Sequence, residues 1–483
     1  MLFIEGGMND RKRLGVFSGQ GRQFVRLCLM LLGSLVGTSA LAEDSGQSGV
    51  SGLGGASGPN PEQGLPIGGW ITYPSFYAGA IFNDNVYNSA TNRRAAEGFD
   101  LRPSFDATLD NGIHRTRAYF GLDAQIYPGS DGSGAGGTTS ASNVQGRAGF
   151  SHIYQPLPDL TVAAEVDFSR LIGVFGTGFG AGGSSSSIYV PSAVIASGLP
   201  LLSNQLTGAL SVQKEITDKA FVAWQGGVQG VIFDSQPSSG ITSVFSPQST
   251  QQNGVSYNTS FRLGYWVGPM LYAFVEPGGS FRRYQNYLSD TNGYRVVGGL
   301  GSDQIGLFKG EIYGGYQSQS SAYGLAGVGS TSPAFGGRLY YYPTPYLTIS
   351  ASADETLGST TPGSVSTSVV SSPLVNSHLA IIVSPASSSR AFQAMLQADY
   401  SFSPYWTAHI RGGYGETLYT NSSRVDSTWT TGIGGRYFFW RNVALTVDYL
   451  HSLINSSNAN VWPSVSSTNY SQNVVTAGVT YKY

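Results

Sequence analysis

Apolar and polar residues alternate one for one through long stretches of this chain, and no other feature narrows its fold as far. In 99–109, Phe99, Leu101, Pro103, Phe105, Ala107 and Leu109 share one face of an extended strand, while Asp100, Arg102, Ser104, Asp106 and Thr108 share the other. A period of two belongs to β-strands, and the three-four spacing of amphipathic helices is missing. Asn111-Gly112 follows, the strongest short hairpin signal. The next strand sets Ala118, Phe120, Leu122, Ala124 and Ile126 against Arg115, Arg117, Asp123 and Gln125. Segment 160–168 sets Leu160, Val162, Ala164, Val166 and Phe168 against Thr161, Glu165 and Asp167. In 392–402, Phe392, Ala394, Leu396, Ala398, Tyr400 and Phe402 oppose Gln393, Gln397 and Asp399. A soluble sandwich can supply one such strand. A whole chain of them, long enough to cross a bilayer at a tilt, points to a transmembrane barrel.

The connections alternate in length. Short ones fall at Asn111-Gly112, Pro156 to Asp159, Thr217 to Lys219, Gly268-Pro269, Ser302 to Ile305, Pro343 to Pro345, Ser403-Pro404 and Arg441-Asn442. Longer ones fall between them, the longest at 174–203 and 356–388, where the chain is expected to be able to fold inward. Short periplasmic turns and long extracellular loops are how outer-membrane barrels are built. The expectation is a closed antiparallel β-barrel of about 18 strands, within a range of 16–18, over residues 70–483.

Composition agrees. Charged residues are 11% of the 483, against roughly 25% in soluble domains, while Gly reaches 66 residues and aromatics 12%. No stretch beyond the N-terminal segment has the ~18 apolar residues of a membrane helix. Near the N-terminus, Arg11, Lys12, Arg13, Arg22 and Arg26 precede an apolar run from Leu27 to Val36, and Ala40-Leu41-Ala42 offers a cleavage site. Residues 1–42 are therefore expected to be a secretory signal peptide, followed by a flexible Ser/Gly/Pro lead-in over 43–69. The only cysteine, Cys28, lies in that signal, so the mature chain is expected to have neither disulfides nor a thiolate metal site. Losing 1–42 takes five basic and two acidic residues from totals of 26 and 28 and leaves the chain mildly acidic. Nucleic acid is not an expected partner.

Chemistry-bearing motifs are sparse. His114, His152, His378, His409 and His451 are scattered without metal-ligand spacing, and the Gly178, Gly180, Gly183 string has no helix after it. No catalytic residue, metal or cofactor is expected. The polar strand faces carry the candidates for lining a lumen: Asp100, Arg102, Asp106, Arg115, Arg117, Asp123, Glu165, Asp167, Lys309, Glu311, Asp399, His409, Arg411 and Arg436. As a set they are expected to form opposed acidic and basic ladders that orient polar solutes. Tyr265, Trp266, Tyr272, Tyr341, Tyr342, Tyr346, Tyr405, Trp406, Phe439 and Trp440 gather at strand ends and read as a periplasmic girdle, leaving few aromatics for the inner wall.

Two elements of the N-terminal third, Phe82-Asn83-Asp84-Asn85-Val86-Tyr87 and Asp100-Leu101-Arg102-Pro103-Ser104-Phe105, resemble the putative β-barrel porin type 2 family of proteobacterial outer-membrane proteins. Members often carry an acidic-Asn-Val/Ile-aromatic element after strand one and an Arg-Pro element in strand two. The resemblance extends over most of the mature chain and implies an outer-membrane barrel. With the strand pattern, it leads to the expectation of a pore for small hydrophilic solutes. Export of an exopolysaccharide, or a non-transporting structural barrel, are the alternatives. Expected partners are outer-membrane lipid, lipopolysaccharide and, during biogenesis, the barrel-assembly machinery; the oligomeric state is open.

Val475, Ala477, Val479, Tyr481 and Tyr483 end the chain on one apolar face, which resembles the signal read by that machinery. Tyr483→Lys is expected to lower the amount of heat-modifiable barrel in outer-membrane fractions strongly; wild-type levels would contradict this reading of the C-terminus.

Overall fold

The computed structural model describes residues 64–87, 93–129, 132–134, 137–139, 141–172, 202–233, 253–285, 290–323, 329–359, 365–366, 382–383, 388–419, 425–457 and 469–483. The signal segment, most of the lead-in and most of loops 174–203 and 356–388 lie outside these residues. Long strands follow one another as β1 (Trp70–Asn83), β2 (Ala96–Asp110), β3 (His114–Ile126), β4 (Asn143–Leu157), β5 (Leu160–Ile172) and β6 (Leu202–Thr217). They continue as β7 (Ala220–Phe233), β8 (Gly254–Trp266), β9 (Leu271–Tyr284), β10 (Thr291–Ile305), β11 (Phe308–Ser321) and β12 (Ser330–Thr344). The last six are β13 (Leu347–Ser359), β14 (Ser388–Ser403), β15 (Trp406–Tyr419), β16 (Val425–Trp440), β17 (Val443–Ser457) and β18 (Tyr470–Lys482). Each pairs antiparallel with its chain neighbour, and β1 pairs with β18, which closes an 18-stranded barrel. Among the described residues there is no helix.

Closure follows from the solvent. A sheet edge in hydrocarbon leaves backbone N–H and C=O groups without partners, so a membrane-spanning sheet has to end on itself. The seam runs from Ser75↔Lys482 to Asn83↔Val474. Toward the loop end, the Asn-rich element after β1 clips the two chain termini together. Asp84 Oδ1 accepts from the Asn473 N–H at 2.6 Å, Asn85 Nδ2 donates to Ser471 O at 2.9 Å, and Gln472 Nε2 donates to Asn83 Oδ1 at 3.2 Å. Toward the turn end, β18 runs out at Tyr483, whose N–H reaches Pro74 O at 3.2 Å. Below that point Leu65–Ile67 folds back through Gly68 and Gly69, both at positive φ, and pairs with Trp70–Thr72. The end of the segment read as a flexible lead-in is therefore ordered, and it pairs with the part of β1 that lies beyond the seam with β18.

The burial pattern is that of a soluble protein turned inside out. Phe99 is 59% exposed, Leu396 56% and Ile410 59%, whereas Asp100 is fully buried beside Phe99. Outward side chains form an apolar band for lipid, and inward ones form a polar wall. Of the expected girdle, Tyr265, Tyr346, Tyr405, Trp406 and Trp440 stand exposed at the turn end. Trp266, Tyr272 and Tyr342 do not belong to it: alternation puts them on the inner wall with Arg262 and Glu311. The turn expected at Ser302–Ile305 falls later. Those residues stay in β10 through an irregular register, and Gly306, at φ 60°, makes the reversal.

Val166 pairs with Phe150 on the outer face, and the next rung pairs Ser151 with Glu165 on the inner face. Val166→Arg is expected to cost about 2–4 kcal/mol by placing charge in lipid, and Ser151→Arg well under half of that. Denaturant unfolding in lipid vesicles measures both; equal penalties would mean the facing is wrong.

Candidate functional site

The polar interior of the barrel is the candidate site, and its wall is layered. The innermost layer is glycine. A Cβ at Gly149 would lie 2.3 Å from the Tyr119 ring, and one at Gly299 would lie 2.7 Å from Phe274. Each ring lies flat on the backbone of a neighbouring strand, a cross-strand packing that only glycine permits. Guanidinium groups form the next layer. Arg147 and Arg117 sit 5.1 and 5.4 Å above Tyr119, Arg102 4.8 Å above Tyr77, Arg262 4.1 Å above Phe274, and Arg295 4.7 Å above Tyr313. These distances lie within cation–π range.

Carboxylates complete the wall. Arg102 Nε donates to Asp100 Oδ1 at 2.9 Å and lies 3.5 Å from Asp123 Oδ2. Arg117 Nε donates to Asp106 Oδ2 at 2.8 Å, and Arg147 Nε to Asp167 Oδ2 at 2.6 Å, with Glu165 3.9 Å from Arg147. The Tyr119 hydroxyl also donates to Asp167, at 2.6 Å. On β8, Arg262 Nε donates to Glu276 at 2.6 Å, while its Nη1 and Nη2 reach the two oxygens of Glu311 at 2.7 and 3.2 Å. His409 Nε2 lies 3.1 Å from Asp448 Oδ1, and Asp399 accepts from Gln397. Arg411 passes beside Gly432, Arg436 lies 5.9 Å above Phe438, and Lys309 faces inward opposite Tyr340. Arg115 pairs with Asp110 out at the turn mouth.

The charges interleave. Among the described residues Arg102, Arg117, Arg147 and Arg262 each sit with nearby carboxylates, so these groups form mixed clusters in place of the expected acidic and basic ladders on opposed walls. A paired array gives short-range contacts in place of a long transverse field. Sequence reading missed Arg147, Arg262, Glu276, Arg282, Arg295, Arg338, Asp354 and Asp448. The available signal was glycine at alternate positions, Gly264 two residues from Arg262 and Gly293 two from Arg295, marking the inward face. It also missed the inner aromatics Tyr77, Tyr119, Phe221, Trp266, Tyr272, Phe274 and Tyr313. Phe221, Trp266 and Tyr272 cluster near the turn end, with ring centroids 5.1–6.1 Å apart.

Above mid-height the wall departs from regularity between β12 and β13. Pairing of β12 with β13 stops at Gly336↔Asp354, although β11–β12 continues to Gln319↔Ser330 and β13–β14 to Ser359↔Ser388. Pro333 of β12 has no N–H to offer in this stretch. The β13 carbonyls find other donors on the lumen side. Glu355 O accepts from Gln317 Nε2 at 3.2 Å, and Leu357 O from Arg282 Nη2 at 3.0 Å. Arg282 belongs to β9, so the upper end of β13 leans into the barrel to meet it. Arg282 Nη1 also donates to Gln319 at 3.0 Å, and all three side chains are buried. This overhang is the root of the loop near 356–388.

The family model described as putative beta-barrel porin 2 matches residues 59–377 and 380–483. No curated protein matches the chain. Among solved structures, the chain is similar to the OccAB3 protein of Acinetobacter baumannii at 11% identity and a TM-score of 0.41, covering 86% of this chain and 100% of that one. The outer membrane channel DcaP of the same organism gives 11% identity and a TM-score of 0.41, with 87% and 100% covered. OpdK of Pseudomonas aeruginosa gives 11% and 0.40, with 85% and 99% covered.

Arg282→Ala is expected to remove the bonds from Arg282 to Leu357 O and Gln319 Oε1, at about 1.5–3 kcal/mol for a charged hydrogen-bonding group, and to raise single-channel conductance as the overhang loses its anchor. Unchanged conductance in a correctly folded variant would show that the overhang does not narrow the lumen.

Proposed function

The chain belongs to the putative beta-barrel porin 2 family and is a porin-like channel of the outer membrane, and from that premise we propose that it passes small hydrophilic solutes passively, with weak selectivity. The observation that carries this reading is the layered wall. Rings lie flat on glycines rather than projecting, which keeps an 18-stranded lumen wide. Arg102, Arg117, Arg147 and Arg262 engage lumenal carboxylates, so the wall is wettable without a strong preference for either ion sign.

The same pairing supports a role without catalysis. The buried carboxylates Asp100 and Glu276 are held in ion pairs by Arg102 and Arg262. Cleavage after Ala42, contact of the outer band with lipid and lipopolysaccharide, and delivery by the barrel-assembly machinery complete the reading. A second reading, a conduit for an exopolysaccharide, gains weight from the inward Trp266 and Tyr272, since ring faces suit the apolar faces of sugars.

Planar-bilayer recording and liposome swelling separate the readings. The purified full chain is expected to give ohmic steps of weak ion preference and to admit monosaccharides faster than longer oligosaccharides. A conduit would instead be blocked by a long polysaccharide at low concentration. No channels under any condition would refute both.

A further inference from the structure

Arg102, Arg117, Arg147 and Arg262 hold carboxylates, and Arg282 holds a carbonyl and an amide. Lys309 on β11 and Arg338 on β12 differ. Both face the lumen half-buried, and among the described residues neither side chain makes a hydrogen bond or an ion pair. Register explains the difference. The cross-strand neighbour of Arg338 is Glu311, whose oxygens are already taken by Arg262 and by the Tyr272 hydroxyl at 3.1 Å. Lys309 lies opposite Tyr340, which offers no carboxylate. Two positive charges thus stay uncompensated on adjoining strands, toward the turn end of the wall.

Tyr340 and Tyr342 follow Arg338 on the same inward face of β12, and their rings stack at 6.4 Å and 11°. Anion donors beside half-buried ring faces make a composite site: a guanidinium fork binds a carboxylate in two bonds, an ammonium adds a point charge, and parallel rings accept a flat apolar body. We infer that Lys309, Arg338, Tyr340 and Tyr342 form a subsite for small ring-bearing carboxylates at the periplasmic end of the channel. The inference rests on the porin reading, because a solute reaches this patch only through an open lumen.

Current block in planar bilayers tests it, with benzoate as an aromatic acid, glucuronate as a sugar acid, and glucose and inorganic phosphate as controls. Benzoate, glucuronate or both are expected to reduce the open-channel current at concentrations where glucose and phosphate do not; which of them does so identifies the aromatic or the sugar source. Arg338→Gln and Lys309→Gln are each expected to weaken the block about tenfold, the weight of one charge-assisted hydrogen bond, with Arg338→Lys intermediate. Tyr340→Ala is expected to weaken block by the ring acids and to leave phosphate unchanged. Equal block by phosphate, or block unaffected in both charge variants, overturns the subsite while leaving the channel intact. Absence of any current from the wild-type barrel overturns the porin reading and this inference with it.

Discussion

Every feature of this barrel depends on one requirement: no backbone hydrogen-bonding group can be left open in hydrocarbon. An open sheet fails that requirement at both edges, so the first and last strands have to meet, and the chain termini carry the devices that make them meet. Asp84 and Asn85 bridge to the start of β18 at the loop end. At the turn end, Leu65–Ile67 pairs with the part of β1 that lies beyond the seam with β18. The Asn-rich element that carries the family resemblance thus has a physical role, which is to hold the seam.

Composition then follows from geometry. Low charge reflects an outer band that must be apolar, and abundant glycine reflects an inner wall on which rings lie flat. Those rings seat guanidinium groups, and the guanidinium groups seat carboxylates. The result is a lumen whose charges are present in number yet largely neutralised locally. Where that neutralisation fails, the reason is local: Arg262 has taken the Glu311 that lies opposite Arg338, and Lys309 lies opposite Tyr340. Selectivity in such a wall comes from the exceptions to pairing, not from the total of charges.

Much of the architecture was legible in the sequence. Alternation in 99–109, 160–168 and 392–402 fixed which residues face lipid, and the rhythm of short turns and long loops led to the strand number. Strand ends were less legible. Tyr265-Trp266 and Tyr341-Tyr342 are consecutive, so alternation forbids both members of either pair from lying in the girdle, and one of each points inward. Ser302–Ile305 looks like a turn because it is polar, yet the positive-φ glycine that reverses the chain comes just after it. Pairings such as Arg262 with Glu311 join residues from non-adjacent strands. They depend on the stagger of the ladders, which no single strand encodes. The inward lean of β13 depends likewise on Arg282 arriving from β9.

The central claim is that successive residues of each strand see water and lipid in turn around a closed, water-filled wall. With its one cysteine in the expected signal segment, the mature chain suits single-cysteine scanning. Cysteines placed one at a time at Glu165, Val166, Asp167 and Phe168 of β5, in barrels embedded in vesicles, would be treated with a small membrane-impermeant thiol reagent. The account predicts labelling at 165 and 167 and protection at 166 and 168. Uniform labelling, uniform protection or the opposite alternation would contradict it.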